Sequence, residues 1–150
     1  MMDREFDRVR EELCRAGIPA SSLSVSDGST ITITSRDGRA LVRTSLHYRD
    51  GRAAEASADV ELHRAMYARS RHRAVLVCQP PYVMTLASMG KVSVVEALEK
   101  LPRAHTAACE VVVVKGRAAV AGAIDADACL DAMLGLERRC REQLPGASRV

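Results

Sequence analysis

The residues best suited to chemistry stand at the end of an apolar segment. Residues 73–83 read R-A-V-L-V-C-Q-P-P-Y-V, so a strand of aliphatic side chains ends in the thiol of Cys78 and the amide of Gln79. Strand ends are where catalytic groups collect in α/β domains. A cysteine nucleophile needs an adjacent base, and the sequence offers none near Cys78. We therefore interpret this thiol as a small buried hydrophobe.

The histidines and the other cysteines do not form a metal-binding motif. The five cysteines include no C-x-x-C pair, and the four histidines lack the spacing of metal ligands. A site built from Cys78, Cys109 and His105 stays open as an alternative, because thiolates bind zinc well. We expect His63 to pack against the sheet or to donate a hydrogen bond to a backbone carbonyl.

Composition and charge exclude several classes of function. The chain has 150 residues, a length typical of one domain, which we assign to residues 1–150. Aromatic residues make up 3% and the net charge is +3, so no nucleic-acid partner is expected. No apolar run reaches the roughly 18–20 residues of a membrane span, and the charged start has no apolar leader. We therefore expect a cytoplasmic protein that does not bind membranes.

The N-terminal half is predicted to contain a helix, an antiparallel meander and a second helix. The first helix, residues 3–16, has one apolar face and ends at Gly17. Asp-Gly turns connect three alternating segments. These segments are predicted strands at residues 22–25, 30–34 and 40–48. The second helix, residues 57–70, is predicted to begin with Ser57 as its N-cap and Asp59 in its first turn. The basic cluster at its end is interpreted as a solvated helix end.

The C-terminal half is predicted to alternate strands and helices. Strands are expected at residues 73–78, 109–116 and 117–122, the last two as a hairpin. Two short helices are expected at residues 82–90 and 92–101, and a long helix at residues 125–144. Asp125 is predicted to cap the long helix, and Pro145 and Gly146 to stop it. This order predicts an α/β fold in three α/β/α layers, with a central, mostly antiparallel or mixed sheet flanked by helices.

Three segments, taken in order, resemble the class II aldolase/adducin family. The segment S-L-S-V-S-D-G and the T-I-T-I-T-S-R-D-G that follows resemble the family's G-N-x-S-V-R hairpin and I-T-P-S-G turn. The segment S-A-D-V-E-L-H-R-A-M-Y, followed by A-V-L-V-C-Q-P, resembles its P-S-S-E-x-x-x-H-x-x-x-Y helix and A-V-V-H-x-H-P strand. The segment V-V-V-V-K-G-R resembles its later strand with N-H-G or G-H-G. The resemblance extends from residue 6 to about residue 140, and it implies the fold of zinc-dependent sugar-phosphate aldolases.

The resemblance also implies where a zinc ion would be held, by two histidines of H-x-H and a third of H-G. The first two positions are Val77 and Gln79, and the third falls at Gly116 or Arg117. Valine has no lone pair, an amide oxygen is a weak zinc partner beside imidazole, and a guanidinium carries a fixed positive charge. We therefore predict no metal ligands at these positions and no cofactor.

The resemblance further implies an acid/base carboxylate and a phosphate site. The family's glutamate, four residues before the helix histidine, falls at Asp59, which keeps the carboxylate. Its alternative role is favourable pairing with the helix dipole. The phosphate-binding positions fall at Ser22, Thr34, Ser35 and Ser57. Hydroxyls and a helix N-terminus can bind phosphate, whereas the alternative is that these residue types are common in turns and caps.

Three functional hypotheses remain. The first is a degenerate member of this family without zinc-dependent aldolase activity, which acts as a binding or assembly module. The alternative is a metal-independent lyase or isomerase on a small phosphorylated sugar or keto acid, with Asp59 moving a proton and Arg117 stabilising charge. The third is a sugar-phosphate aldolase with non-standard metal ligands. The resemblance also implies a homo-oligomer, such as a tetramer, and a small phosphorylated metabolite as partner.

Overall fold

The fold is built from one antiparallel sheet and the helices that cover it. The computed structural model describes residues 2–19, 22–47, 50–101 and 109–144. Helices in these ranges are α1 (Met2–Arg15), α2 (Val60–Arg69), α3 (Pro81–Ser88) and α4 (Ala126–Gln143). Strands are β1 (Ser22–Ser26), β2 (Thr30–Thr34), β3 (Leu41–Ser45), β4 (Ala74–Cys78), β5 (Glu110–Val114) and β6 (Ala118–Ala123). Short 3-10 helices span Ala53–Glu55 and Leu98–Lys100.

The six strands lie in the order β3-β2-β1-β4-β6-β5, and every neighbouring pair is antiparallel. The central position of β4 follows from its sequence, because an almost wholly aliphatic strand suits burial on both faces. All five of its residues are buried. Two Asp-Gly pairs lie where the meander turns, at Gly28 between β1 and β2 with a φ of 102° and at Gly38 between β2 and β3 with a φ of 76°, and the third, at Gly51, follows β3.

Each face of β4 packs into a different hydrophobic cluster. Leu76 points to the face where α1, α3 and α4 contribute side chains such as Leu13, Leu86 and Met133. Its neighbour Val75 joins the cluster on the other face with side chains of α2, such as Met66. Successive side chains of a strand point to opposite faces, and burying each large apolar side chain contributes roughly 2–3 kcal/mol. The sheet is therefore anchored from both faces, which fixes the positions of its strand ends.

The end of α1 and the start of α4 are formed as the sequence predicts. Helix α1 ends in a Schellman arrangement, in which Gly17 N donates to Cys14 O at 3.0 Å and Ile18 N donates to Leu13 O at 2.9 Å. Gly17 has a φ of 75°, which glycine adopts without strain. Helix α4 begins at its predicted cap, since Asp125 Oδ1 accepts from Ala128 N at 2.8 Å. The predicted stop at residues 145–146 lies outside the described residues.

Two local predictions are wrong. Residues 92–101 form no α-helix: Val95 N donates to Val113 O and Lys115 N donates to Val95 O, both at 2.9 Å, which adds a parallel bridge to the edge of β5. β-Branched valines suit such extended pairing better than a helix. Ser57 is not the N-cap of α2, because that helix begins at Val60 and the cap position is Asp59. Ser57 lies two residues before that cap, where its Oγ accepts from Asp59 N at 3.2 Å.

The basic cluster after α2 is partly buried, contrary to the solvated helix end expected from sequence. Arg69 Nε donates to Glu110 Oε1 at 2.6 Å, and His72 Nε2 lies 2.9 Å from Glu110 Oε2. The His72 ring lies on Gly122, where an added Cβ would be 2.5 Å from its Cδ2. This cluster therefore fastens the edge strand β5 to the end of α2.

No helix within the described residues is long and apolar enough to cross a membrane.

Candidate functional site

Four strand ends meet at one end of the sheet, which we call the candidate rim. It is formed by the first residues of β1 and β6 and the last residues of β2 and β4: Ser22, Ala118, Thr34 and Cys78. Antiparallel pairing brings them together, since Ser22 lies opposite Val77 and Cys78 lies opposite Ala119. The segment Gln79-Pro80-Pro81 leaves β4 at this rim and leads directly into α3. The rim is therefore where the strand-end chemistry suggested by the sequence would be located.

The residues at the three implied metal positions do not fit a zinc site. Val77 is buried in the cluster on the α2 face. Gln79 Nε2 donates to Arg117 O at 2.8 Å, so its amide ties the end of β4 to the β5–β6 turn. Gly116 has a φ of 67° in that turn. Zinc sites of this kind are built from imidazole, thiolate and carboxylate ligands, and within the described ranges no three His, Cys, Asp or Glu side chains gather in such a group.

The alternative site of Cys78, Cys109 and His105 is not assembled. The register places Cys78 opposite Ala119, whereas Glu110, next to Cys109, lies opposite Gly122 at the other end of β6. Four residues along a strand and two strand spacings separate the two cysteines by roughly 16 Å. Burial raises the pKa of the Cys78 thiol, so it stays protonated. His105 lies outside the described residues. The two cysteines therefore cannot share a metal ion.

Three of the predicted phosphate-binding residues are close neighbours in the backbone. Ser57 N donates to Thr34 O at 2.9 Å, and Ser35 forms an antiparallel bridge with Ala56. The Thr34 hydroxyl bonds the backbone of Leu23, with Oγ1 3.1 Å from its nitrogen and 3.3 Å from its carbonyl oxygen. These residues form one polar corner where β2 passes the approach to α2.

The hydroxyls of this corner already have internal partners. Ser35 Oγ donates to Asp37 Oδ1 at 2.7 Å and accepts from Ala40 N at 3.1 Å. The hydrogen bonds from the Ser35 hydroxyl and from the Arg39 backbone N–H lower the pKa of the Asp37 carboxyl. A serine hydroxyl has one proton and two lone pairs. Ser35 therefore has no proton left to donate, whereas Ser57, whose hydroxyl among the described contacts accepts from Asp59 N, retains one.

The two predicted charged residues lie near the rim, and neither forms an ion pair with another described residue. Asp59 stands at the N-cap of α2, is half-buried, and its carboxylate makes no capping hydrogen bond. Arg117 is exposed in the β5–β6 turn, where its carbonyl holds Gln79. Among the described ion pairs, neither its guanidinium nor the Asp59 carboxylate takes part. Both charges are therefore available to a ligand.

A buried polar network beside the rim was not predicted. His63 Nε2 lies 2.8 Å from Ser22 Oγ, and His63 Nδ1 lies 2.7 Å from Ser24 Oγ. Ser24 Oγ in turn lies 2.8 Å from the hydroxyl oxygen of Tyr67. The signal in the sequence is the spacing, because Ser22 and Ser24 share one face of β1 and His63 and Tyr67 share one face of α2. What the sequence alone lacked was the packing of these two faces on each other.

The Ser22–His63 pair resembles a nucleophile and its base, but its electrostatics do not suit that role. His63 is completely buried, and the desolvation lowers its pKa to about 3. Its ring neighbours in the network are the neutral hydroxyls of Ser22 and Ser24, so no carboxylate in the network would stabilise an imidazolium. Burial also raises the pKa of Tyr67, which keeps its proton. The network is therefore neutral and serves to orient hydroxyl groups.

A buried carboxylate sets the start of α3 just beyond the rim. Glu137 of α4 accepts from Val83 N at 2.9 Å and from Tyr82 N at 3.3 Å. These are two of the N–H groups that a helix start leaves without partners, and the preceding prolines offer no capping side chain. Glu137 is 5% exposed, and burial raises its pKa. Its bonds hold the turn that carries Gln79 away from β4.

Solved structures with the same fold are known. The chain is similar to L-fuculose-1-phosphate aldolase from Thermus thermophilus, with a TM-score of 0.68 and 20% identity over 93% of this chain and 88% of that chain. It is also similar to YgbL, a candidate aldolase/epimerase/decarboxylase. For YgbL from Klebsiella pneumoniae the TM-score is 0.68 and the identity 15%, covering 97% of this chain and 92% of that chain. For YgbL from Escherichia coli the TM-score is 0.76 and the identity 15%, covering 95% and 87%.

These likenesses confirm the α/β class II aldolase-like fold that the sequence predicts. At this level of identity they concern the fold alone, because one fold can host unrelated activities. No protein-family model matches the chain, and no curated protein is significantly similar to it in sequence. The activity must therefore be argued from the rim itself.

Proposed function

We propose that this chain is a member of the class II aldolase/adducin family that binds a small phosphorylated metabolite, as a homo-oligomer, without zinc-dependent aldolase chemistry. The observation that carries the proposal is the set of side chains at the three metal positions. Val77 is packed in the core, the Gln79 amide is bonded to the backbone of Arg117, and Gly116 has no side chain. None of them supplies the imidazole or thiolate that zinc needs.

Binding is supported by the polar corner and by the cation in the β5–β6 turn, at the same end of the sheet. The Ser57 hydroxyl has a proton left to donate, and the exposed Arg117 guanidinium has no described ion-pair partner. Hydroxyl and guanidinium groups are common partners of phosphate oxygens. A small phosphorylated compound is therefore the ligand class that this chemistry favours.

Metal content and ligand stabilisation test the proposal together. Protein purified without a histidine tag is expected to hold less than about a tenth of an equivalent of zinc. Dihydroxyacetone phosphate or phosphoglycolate at 100 times its Kd should raise the free energy of unfolding by about 2.7 kcal/mol, measured by thermal shift. Ser57→Ala should weaken that binding, whereas Ser29→Ala, in the turn at the other end of β1, should not. Near-stoichiometric zinc, or no shift with either compound, would contradict the proposal.

A second candidate function is a metal-independent lyase or isomerase at the same rim. It is favoured by the two charges that no described ion pair uses, since Asp59 could move a proton while Arg117 stabilises a developing enediolate. If such turnover is found, Asp59→Asn and Arg117→Ala should each lower kcat by about 100-fold or more. The exposed Asp131 and Arg138 of α4 provide matched controls, and their alanine variants should keep the wild-type rate. Unchanged turnover in both rim variants would exclude this mechanism.

A further inference from the structure

The β5–β6 turn carries the cation of the proposed binding site, and its backbone is held from two sides. Arg117 N donates to Val114 O at 3.0 Å inside the turn, and Lys115 N donates to Val95 O at 2.9 Å on the β5 side. On the β4 side, Gln79 Nε2 donates to Arg117 O at 2.8 Å. The residue that carries the guanidinium is therefore bonded at its own carbonyl by the side chain that follows β4.

No described backbone hydrogen bond makes the connection that Gln79 makes. Antiparallel pairing of β4 with β6 ends at Cys78 and Ala119, so Gln79 and Arg117 both lie beyond the paired residues. The two residues after Gln79 are prolines, which have no N–H to donate across to the turn. Within the described part of the chain, the Gln79 amide thus continues the link between β4 and this turn where the backbone cannot.

We propose that Gln79 is a positioning residue for Arg117, whose backbone its amide fixes so that the guanidinium is ordered before it meets a phosphate oxygen. This inference rests on the proposed function. A group that is already ordered loses less conformational entropy on binding, which raises the affinity. The bond also joins two of the positions implied for zinc ligands, and at 2.8 Å it leaves no room for an ion between the two groups.

Titration with phosphoglycolate, followed by calorimetry, tests the coupling of the two residues. Arg117→Ala should weaken binding about tenfold or more, as for a lost bond to a charged group, and it keeps the backbone carbonyl that Gln79 holds. Gln79→Met, of similar length but without a donor, should weaken binding about threefold to tenfold. In the Arg117→Ala background the same change should have less than about a twofold effect, because a positioning residue acts only through the side chain that it positions.

The exposed Gln143 of α4 provides the matched control, since Gln143→Met should bind as the wild type does. Wild-type affinity of either single variant, Arg117→Ala or Gln79→Met, would overturn the positioning role. An equal loss from Gln79→Met in both backgrounds would overturn it as well, because Gln79 would then act without Arg117.

Amide hydrogen exchange of the free protein separates this inference from the proposed function. Gln79→Met should speed exchange at the Lys115 and Arg117 amides, whereas Gln143→Met should not. Unchanged exchange in Gln79→Met would overturn the inference whether or not a ligand binds. If the wild-type protein does not bind phosphoglycolate while exchange is faster in Gln79→Met, the proposed function is contradicted and the fixing of the turn by Gln79 is supported.

Discussion

Acidification from about pH 7 to about pH 4.5 is expected to cost the wild-type protein roughly 2–3 kcal/mol more free energy of unfolding than it costs a His63→Gln variant. Burial lowers the pKa of His63 from 6.5 to about 3 in the folded protein. Between these two values the unfolded chain binds a proton that the folded chain does not, so stability falls as the pH falls. Gln cannot take up a proton, and its profile should lack this contribution.

The chosen pH window separates His63 from the carboxylates. Hydrogen bonds to Ser35 and to the Arg39 backbone lower the pKa of Asp37, and bonds from Thr44 and Ser45 lower that of Asp50. Their contribution to stability is present above about pH 4 and is lost only as the pH falls further. Glu137 acts in the opposite direction, because burial raises its pKa and acidification then favours the folded state. These contributions cancel when the variant is subtracted from the wild type.

Urea unfolding at a series of pH values would measure the effect. The exposed His47 provides the control, since His47→Gln should follow the wild-type profile. If His63→Gln loses as much stability on acidification as the wild type, the histidine does not remain neutral in the folded protein. The neutral network, and with it the exclusion of Ser22 as an activated nucleophile, would then be wrong.

Much of the sheet could be predicted because its strands are defined locally. Asp-Gly turns separate the alternating segments of β1, β2 and β3, and hairpin pairing follows from short connections. The helix predicted at residues 92–101 does not form, because Val95 pairs with a strand that lies outside this segment. The edge of β5 leaves backbone groups without partners, and Val95 supplies two of the missing hydrogen bonds. A window of ten residues contains no information about that edge.

The candidate site likewise has one part that the sequence predicts and one part that only the packed structure shows. The rim at Gln79 could be predicted because it requires only a strand and the polar residues that follow it. The network of His63 could not, because it depends on α2 lying across β1 with a specific rotation. The internal partner of Ser22 likewise becomes visible only in the packed molecule, where its hydroxyl oxygen lies 2.8 Å from His63 Nε2.

Glu137 is the second residue whose replacement should have a large effect, and it concerns the other side of the rim. Glu137→Ala is expected to lower the free energy of unfolding by about 3 kcal/mol, because the N–H groups of Tyr82 and Val83 would lose their buried acceptor. The carboxylate also lies at the positive end of the α3 dipole. Glu137→Gln should cost about half as much, since its amide oxygen can accept only from one of the two groups while its NH2 faces the other.

The effect should reach the rim as well as global stability. Helix α3 begins two residues after Gln79, so loosening its first turn should increase hydrogen exchange at Tyr82 and Val83 and weaken the Gln79 bond to Arg117. Glu142→Ala, an exposed change on the same helix as Glu137, should stay within about 0.5 kcal/mol of the wild type. Chemical unfolding gives the free energies, and hydrogen exchange gives the local effect. Equal stabilities of Glu137→Ala and Glu142→Ala would mean that the prolines alone set the start of α3.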